Sequence, residues 1–329
     1  MSKTMDKKVI GMISSYQALK PSPVDWLWRQ TPHPLGVWKN IQMIATAPQP
    51  DFLLLYNFNE FSDKKRPLPK FGNFFGLAHK PPEPKVTDLK TLLRGVPKER
   101  IISLVREPPF PEREEFRINE YKQAQEYCGY VCGPDDFAPI PDYMPAISYH
   151  NNSFRELDEM GAPEKVRSCC WITSGIARTA NHRQRLAFLK LLRDSDLEFD
   201  VYGRDLPDWV NGYGKVGNKW NAMAPYYYSL AIENYSGNDW YVSEKLWDAL
   251  LAWCLPIYYG GSAADKLLPP GSFLRLPSED EKGLAYIQEV TATPDAWHEA
   301  LDAIAEARQI ILHELNLLNF LSKVVEKLG

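Results

Sequence analysis

The sequence predicts an α/β protein built on parallel sheets. Three observations predict it. Short, continuous apolar runs recur along the chain, among them "FLLLY" (52–56), "IISLV" (101–105) and "LPIYYGG" (255–261). A run of that length without polar alternation is a strand buried on both faces. Amphipathic segments of helical period stand between such runs, which is the order of βαβ crossovers. Finally, 44% hydrophobic and 24% charged residues in a chain of 329 suit a sizeable core and leave room for two domains.

In chain order, Lys8–Ser14 reads as the first buried strand and 52–56 as the next. Residues 63–85 form a turn-rich connection with no apolar period. After the strand at 101–105, residues 112–126 read as a helix with Phe116 and Tyr121 on its buried side. Residues 130–149 are extended and punctuated by proline. The second half has a cleaner rhythm. "SCCWITSG" (168–175) is a strand ending in small polar residues. Residues 181–195 form an amphipathic helix with Leu186, Phe188, Leu189 and Leu192 as its apolar stripe. Strands follow at 197–203, closed by Gly203, and at 226–234. A helix over 243–254 starts from Ser243, a good N-cap. Strands at 255–261 and "FLRL" (273–276) complete the pattern, and 296–327 reads as two helices.

Charge and cysteine usage exclude some functions. A net charge of −4 argues against a nucleic-acid surface, while local basic patches for small phosphates stay open. Five cysteines at 128, 132, 169, 170 and 254 match no zinc spacing and read as reduced, buried thiols. No stretch approaches the length of a membrane span, and the N-terminus lacks a signal-peptide apolar block. The expectation is a cytoplasmic protein, or a chain lacking its own anchor. Ten Trp and 17 Tyr belong mostly to cores, and they also suit sugar binding.

The stretch "IENYSGNDWYVSEKLW" (232–247) concentrates polar and aromatic residues between two apolar runs. It leaves the end of one strand and enters a helix N-terminus, so it lies on the carboxyl edge of a parallel sheet, where ligands bind. Free N–H groups and the dipole there favour phosphate, and Lys245 adds a full charge. Glu233, Asn234 and Glu244 suit sugar hydroxyls. Arg183 and Arg185, early in the helix after "WITSG", share that edge and suit a diphosphate. Each piece has an ordinary reading too: a solvated arginine, a Ser-Glu-Lys cap, tryptophans (240 and 247) in the core.

Together these residues resemble the donor-site motif of the α1,3/α1,4-fucosyltransferases. The matching positions are Glu233-Asn234, then Tyr241-Val242-Ser243-Glu244-Lys245, then Pro256-Ile257-Tyr258 with Gly260. Ser243 stands for the usual Thr, and the spacer between the halves is about one residue longer. "RLAFLKLL" fits the family's R-x-x-F-x-x-x-L helix and makes Arg185 the phosphate arginine. "DVYG" (200–203), with Tyr202 and Gly203, and "GYGKVGNK" (212–219) also match. The likeness covers roughly residues 168–275.

The resemblance implies a GT-B fold: two Rossmann-like domains facing a cleft, with C-terminal helices. It implies an acceptor domain over 1–160, a GDP-sugar domain over 161–295 and a helical tail over 296–329. The implied donor is GDP-fucose and the acceptor a GlcNAc-containing, N-acetyllactosamine-like glycan. The implied reaction is inverting and needs no obligatory metal. Arg185 and Lys245 would stabilise the diphosphate and Glu244 contact the fucose. Tyr241, Asn234, Ser243, Glu233, Tyr202 and Gly203 would line the nucleotide-sugar pocket. The base would be Glu107 of "REPPF", where Pro replaces the Ser of the family's E-S-P-like element. Glu114 and Glu115 compete with it but read as a solvated helix start, and His150 and His182 read as structural. Neither nucleic acid nor a membrane span is expected, and an oligomer stays open. Two other readings remain: a same-fold transferase using another GDP-sugar, and a non-catalytic glycan- or nucleotide-binding protein.

Overall fold

The computed structural model describes residues 7–15, 30–61, 88–147 and 152–329. The expected connection at 63–85 lies wholly outside the described residues, and so does His150. Two sheets organise the chain. The first contains β1 (Lys8–Ser14), β2 (Val37–Trp38), β3 (Ile41–Met43), β4 (Phe52–Tyr56), β5 (Ile101–Leu104), β6 (Tyr130–Gly133) and β7 (Ile140–Pro141). Their order is β2-β3-β1-β4-β5-β6-β7. The second contains β8 (Arg167–Ser174), β9 (Asp200–Arg204), β10 (Tyr226–Ile232), β11 (Leu255–Tyr259) and β12 (Leu274–Arg275), in the order β12-β11-β10-β8-β9. Every pairing is parallel except β2 with β3.

Parallel strands are covered on both faces, and the apolar runs show it. All five residues of β4 are buried, as are all four of β5. In the second sheet β10 is central, pairing Tyr228 with Cys169 on one side and with Leu255 on the other. The five cysteines are free and buried.

Ten helices are described, of which the longer ones cover the sheets. They are α1 (Leu89–Leu92), α2 (Glu114–Tyr127), α3 (Phe154–Glu159), α4 (Ala180–Asp194), α5 (Lys219–Met223), α6 (Glu244–Leu251), α7 (Ala263–Leu267), α8 (Glu281–Thr291), α9 (Asp295–His313) and α10 (Leu317–Leu328). Helix α4 buries Phe188, Leu189 and Leu192, as its stripe predicts, and also Arg185. Helix α2 corrects one expectation. Its buried positions are Arg117, Tyr121 and Ala124, a spacing of four and three, so Phe116 points outward and is 44% exposed. The strand expected at 197–203 begins at Asp200. Helix α8, whose Leu284, Ile287 and Val290 recur at helical spacing and meet the core, and the two- and three-residue strands β2 and β3 are additions to the expected elements. Asp280 starts α8 by accepting from the backbone N–H of Lys282 and Gly283.

The final helices decide how the two sheets are joined. Helix α9 carries Arg308, which is buried, lies 4.2 Å over the Trp253 ring, and donates to the Leu157 carbonyl of α3. Helix α10 then returns to the first sheet. Asn319 Oδ1 accepts from Trp38 Nε1 at 3.3 Å and from Lys39 Nζ at 2.8 Å, and Asn40 Nδ2 donates to the Ser322 carbonyl. One apolar cluster therefore runs from Ile10 and Leu54 through Leu317 and Leu321 to Trp171 and Leu230. Among the described residues no helix is long and apolar enough to cross a membrane.

Candidate functional site

Strand β10 ends at Ile232, and the Glu233 N–H continues its ladder to the Tyr259 carbonyl at 2.8 Å. Glu233 is 4% exposed. Its Oε1 accepts the Ser243 backbone N–H at 2.7 Å and its Oε2 the Ser243 hydroxyl at 2.6 Å. Lys245 Nζ lies 3.2 Å from the same Oε2 and 3.0 Å from Ser243 Oγ. A buried carboxylate persists only when hydrogen-bonded and paired, and here both conditions are met. Both Glu233 oxygens are thus engaged inside the protein, where they hold the start of α6. Ser243 caps that helix by accepting from the Lys245 N–H.

Glu244, the first residue of α6, is partly exposed. Lys245 Nζ is 3.8 Å from its Oε1 and Lys219 Nζ 3.9 Å. Burial would raise its pKa, but Lys245, Lys219 and Arg106 outweigh burial and pull it down to about 2. Lys219 is itself held by Asp248 at 2.6 Å. Asp248 is 1% exposed and sits one turn beyond Glu244 on α6. The helix start thus presents an ionised carboxylate beside an ammonium.

Arg185 lies on the same edge, buried at 3% exposure. Its Nη1 donates to Asn234 Oδ1 at 2.6 Å and its Nη2 to the Ser174 carbonyl at 2.9 Å. The buried Nε has no hydrogen-bond partner among the described residues. Glu279 lies near it: burial, opposed by Arg185, pushes the Glu279 carboxyl up to about 7. Arg183 is exposed, and its Nη1 donates to the Ala177 carbonyl at 3.4 Å. His182 is a capping residue of α4, exchanging hydrogen bonds with Thr179.

From the first sheet, the chain leaves β5 through Arg106 and Glu107. Arg106 is fixed by its N–H to Asn57 Oδ1 at 2.5 Å and by Nη1 to the Tyr56 hydroxyl at 2.6 Å. Glu107 follows, partly buried. Burial raises its pKa above the ordinary 4.5, Arg117 and Arg113 oppose this, and Glu244 adds to it. The charge of Glu244 thus acts on a carboxylate 137 positions away in the chain. The Tyr241 hydroxyl is buried near both, and burial with the charges of Glu233, Glu244 and Glu107 raises its pKa. Glu114 and Glu115 are exposed on α2.

Tyr202 and Gly203 lie near the carboxyl end of β9, paired with Ile172 and Thr173 of β8. The Tyr202 hydroxyl bonds that of Tyr226 at 2.9 Å, at the opposite end of β10 from Glu233. Gly203 has φ +153°, and a Cβ there would lie 1.7 Å from the Thr173 carbonyl oxygen. Close strand approach is sufficient reason for that glycine. Gly260 has a similar reason, since its Cβ would meet the Tyr258 hydroxyl at 2.2 Å. Conversely, Lys219, Asn238 and Glu279 join the site without having been singled out. Lys219 and Asn238 lay within quoted segments, but nothing local marks a residue whose partner is distant in sequence.

Residues 162–300 match the family described as glycosyltransferase family 10 (fucosyltransferase), C-terminal region. A 4-galactosyl-N-acetylglucosaminide 3-alpha-L-fucosyltransferase of Gorilla gorilla gorilla is 32% identical over 134 residues, 38% of this chain and 34% of that protein. The human 3-galactosyl-N-acetylglucosaminide 4-alpha-L-fucosyltransferase is 36% identical over 102 residues, 29% of this chain and 26% of that one. The matched segment thus spans about a third or less of these relatives. In three dimensions, a crystal structure of an alpha1,3-fucosyltransferase covers 99% of this chain and 92% of its own, with a TM-score of 0.50 at 18% identity. Anabaena HepE in complex with UDP-glucose covers 98% and 99%, with a TM-score of 0.53 at 11% identity. The fold is GT-B, with two parallel-sheet units.

Proposed function

We propose, from the match of residues 162–300 to the glycosyltransferase family 10 (fucosyltransferase) C-terminal region, that the protein transfers L-fucose from GDP-fucose to a hydroxyl of a GlcNAc-containing glycan, with inversion. The acceptor oxygen attacks the anomeric carbon of fucose. Its proton passes to the Glu107 carboxylate, the bond from that carbon to the β-phosphate oxygen breaks, and GDP leaves with the electron pair. Glu107 suits a base because its pKa lies above the usual carboxylate range, closer to the working pH. Glu244 stays ionised and offsets positive charge developing on the sugar ring. Lys245 and Arg185 face the charge that accumulates on the diphosphate. Asn234, Ser243 and Glu233 act through these two cations, each of which they hold by a hydrogen bond.

The observation that carries this reading is that Glu107, which follows β5 of the first sheet, lies within reach of the charge of Glu244, at the start of α6 on the second, with the Tyr241 hydroxyl acted on by both. An inverting displacement needs a base on one side of the anomeric carbon and charge stabilisation on the other. The test is titration with GDP, GDP-fucose, GDP-mannose and UDP-galactose, followed by GDP release in the presence of N-acetyllactosamine. Binding of GDP and GDP-fucose with acceptor-dependent GDP release supports it. Preference for GDP-mannose would reassign the donor. Binding without turnover across a broad acceptor panel would leave a binding protein.

A further inference from the structure

The segment between Asn234 and Ser243 is hydrogen-bonded to the first unit through the Asn238 side chain. Asn238 is buried at 9% exposure. Its Nδ2 donates to the Pro134 carbonyl at 2.5 Å, 104 positions away on the first unit. Its Oδ1 accepts from the backbone N–H of Trp240 at 3.3 Å and of Tyr241 at 3.1 Å. The amide therefore shapes the loop that delivers Tyr241 and Ser243, and it ties that loop across the cleft.

Both ends of this contact are held rigidly. On the second unit, a Cβ on Gly261 would lie 2.2 Å from the Asn238 carbonyl oxygen, so Gly261 packs directly on the loop backbone. Asp239 anchors to Ser262 at 2.5 Å and to Lys266 at 3.1 Å. On the first unit, Pro134 stands between Gly133, where a Cβ would lie 2.0 Å from the Tyr121 hydroxyl, and Asp135, which accepts from that hydroxyl. Asp135 is fully buried. Arg117, on the same helix as Tyr121, acts electrostatically on both Asp135 and Glu107. A second cross-cleft contact, Tyr143 against Trp240 with ring centroids 5.1 Å apart, is apolar and sets no direction.

We propose that Asn238 is a positioning residue: its hydrogen bond to the Pro134 carbonyl latches the donor loop to the first unit and sets the separation of Glu107 from Glu244 and Lys245. The inference rests on the transferase reading for its catalytic consequence and on geometry alone for the latch. Displacement of a base by about 1 Å costs a rate on the order of 10²-fold, which is the size of effect one such contact controls.

The Asn238→Asp variant tests this in the full chain. It keeps an oxygen acceptor for the Trp240 and Tyr241 N–H groups, removes the donor, and sets a carboxylate against a carbonyl. Amide hydrogen exchange is read at residues 135–138, together with GDP affinity and steady-state kinetics. Expected are faster exchange at 135–138, GDP affinity within about twofold of the parent, and a kcat lower by about 10–10²-fold. Unchanged exchange overturns the latch whatever the kinetics do. Faster exchange with unchanged kcat overturns the positioning role, and so does a loss of GDP affinity in step with kcat. Should the parent protein transfer no fucose, the transferase reading fails, while exchange still decides the latch. Asn238→Ala, which removes all three hydrogen bonds, should in addition weaken GDP binding; equal GDP affinity in both variants counts against the loop-shaping half.

Discussion

Glu233 holds Ser243 twice, through the backbone N–H at 2.7 Å and the hydroxyl at 2.6 Å. A strand end and a helix start are thereby fixed to one another by a single buried carboxylate, with Lys245 as its counter-charge. Replacing it with Gln keeps the shape, removes the charge and takes from Lys245 its partner at 3.2 Å, leaving Glu244 at 3.8 Å. Glu233→Gln should destabilise the fold by about 1–3 kcal/mol, read as a lowered midpoint in chemical denaturation. A midpoint equal to the parent's would contradict the role assigned to Glu233.

Removing the base tests the chemistry separately from binding. Glu107→Gln should reduce kcat by roughly 10²–10⁴-fold and leave GDP affinity unaltered in calorimetry. An equal loss in both would mean that Glu107 supports the fold rather than the proton transfer.

The pH dependence carries a sign. Glu107 must be ionised to accept a proton, and its pKa is raised above 4.5 by burial and by the neighbouring Glu244. The acid limb of kcat/KM should therefore lie above the ordinary carboxylate range. In Glu244→Gln the like charge is gone, so the limb should move to lower pH even as the rate falls. A shift to higher pH would rule out the proposed coupling.

Glu279 makes an independent prediction about stability. Its carboxyl is pushed from 4.5 up to about 7 by burial, against the pull of Arg185. A carboxyl with a raised folded pKa favours the folded state in its protonated form. Its contribution is thus present below about pH 4.5 and is lost as pH rises to about 7. In the ligand-free protein, Glu279→Gln should be relatively more stable at pH 8 than at pH 5, by on the order of 1 kcal/mol after allowance for solvent access. Denaturation at the two pH values checks it, and a difference of opposite sign would refute it.

Lys219→Met should remove the ammonium 2.6 Å from the Asp248 carboxylate, which is 1% exposed, at a cost of about 2–4 kcal/mol since Lys219 itself is partly exposed. The double variant Lys219→Met with Asp248→Leu should recover much of that loss. Failure to recover would show that Asp248 serves α6 in some way other than as the partner of Lys219.

Much of the fold was legible because it is written locally. Lys8–Ser14 and Phe52–Tyr56 are strands over the residues their apolar runs delimit, and Ser243 caps α6 as its hydroxyl and position imply. The motif from Glu233 to Lys245 was legible for the same reason: it is a strand end, a loop and a helix start in one short segment. Phe116 was misread because Arg117, one position later, takes the buried place on α2, and a charged residue in that place breaks the hydrophobic period.

By itself, then, the sequence determined the α/β class, the strands of both sheets that are long enough to show a period, and the residue types gathered at the edge of the second sheet. These depend on neighbours within one or two turns. Only the tertiary structure decided that both Glu233 oxygens turn inward to Ser243 and Lys245, and that the Tyr202 hydroxyl bonds that of Tyr226 at the start of β10. It alone returned α10 to the first sheet through Asn319 and set Asn238 against Pro134. Such contacts join residues tens to hundreds of positions apart, and a buried polar group takes whichever partner the packing brings within hydrogen-bond reach. Periodicity encodes which face a residue presents, and packing alone encodes what meets it there.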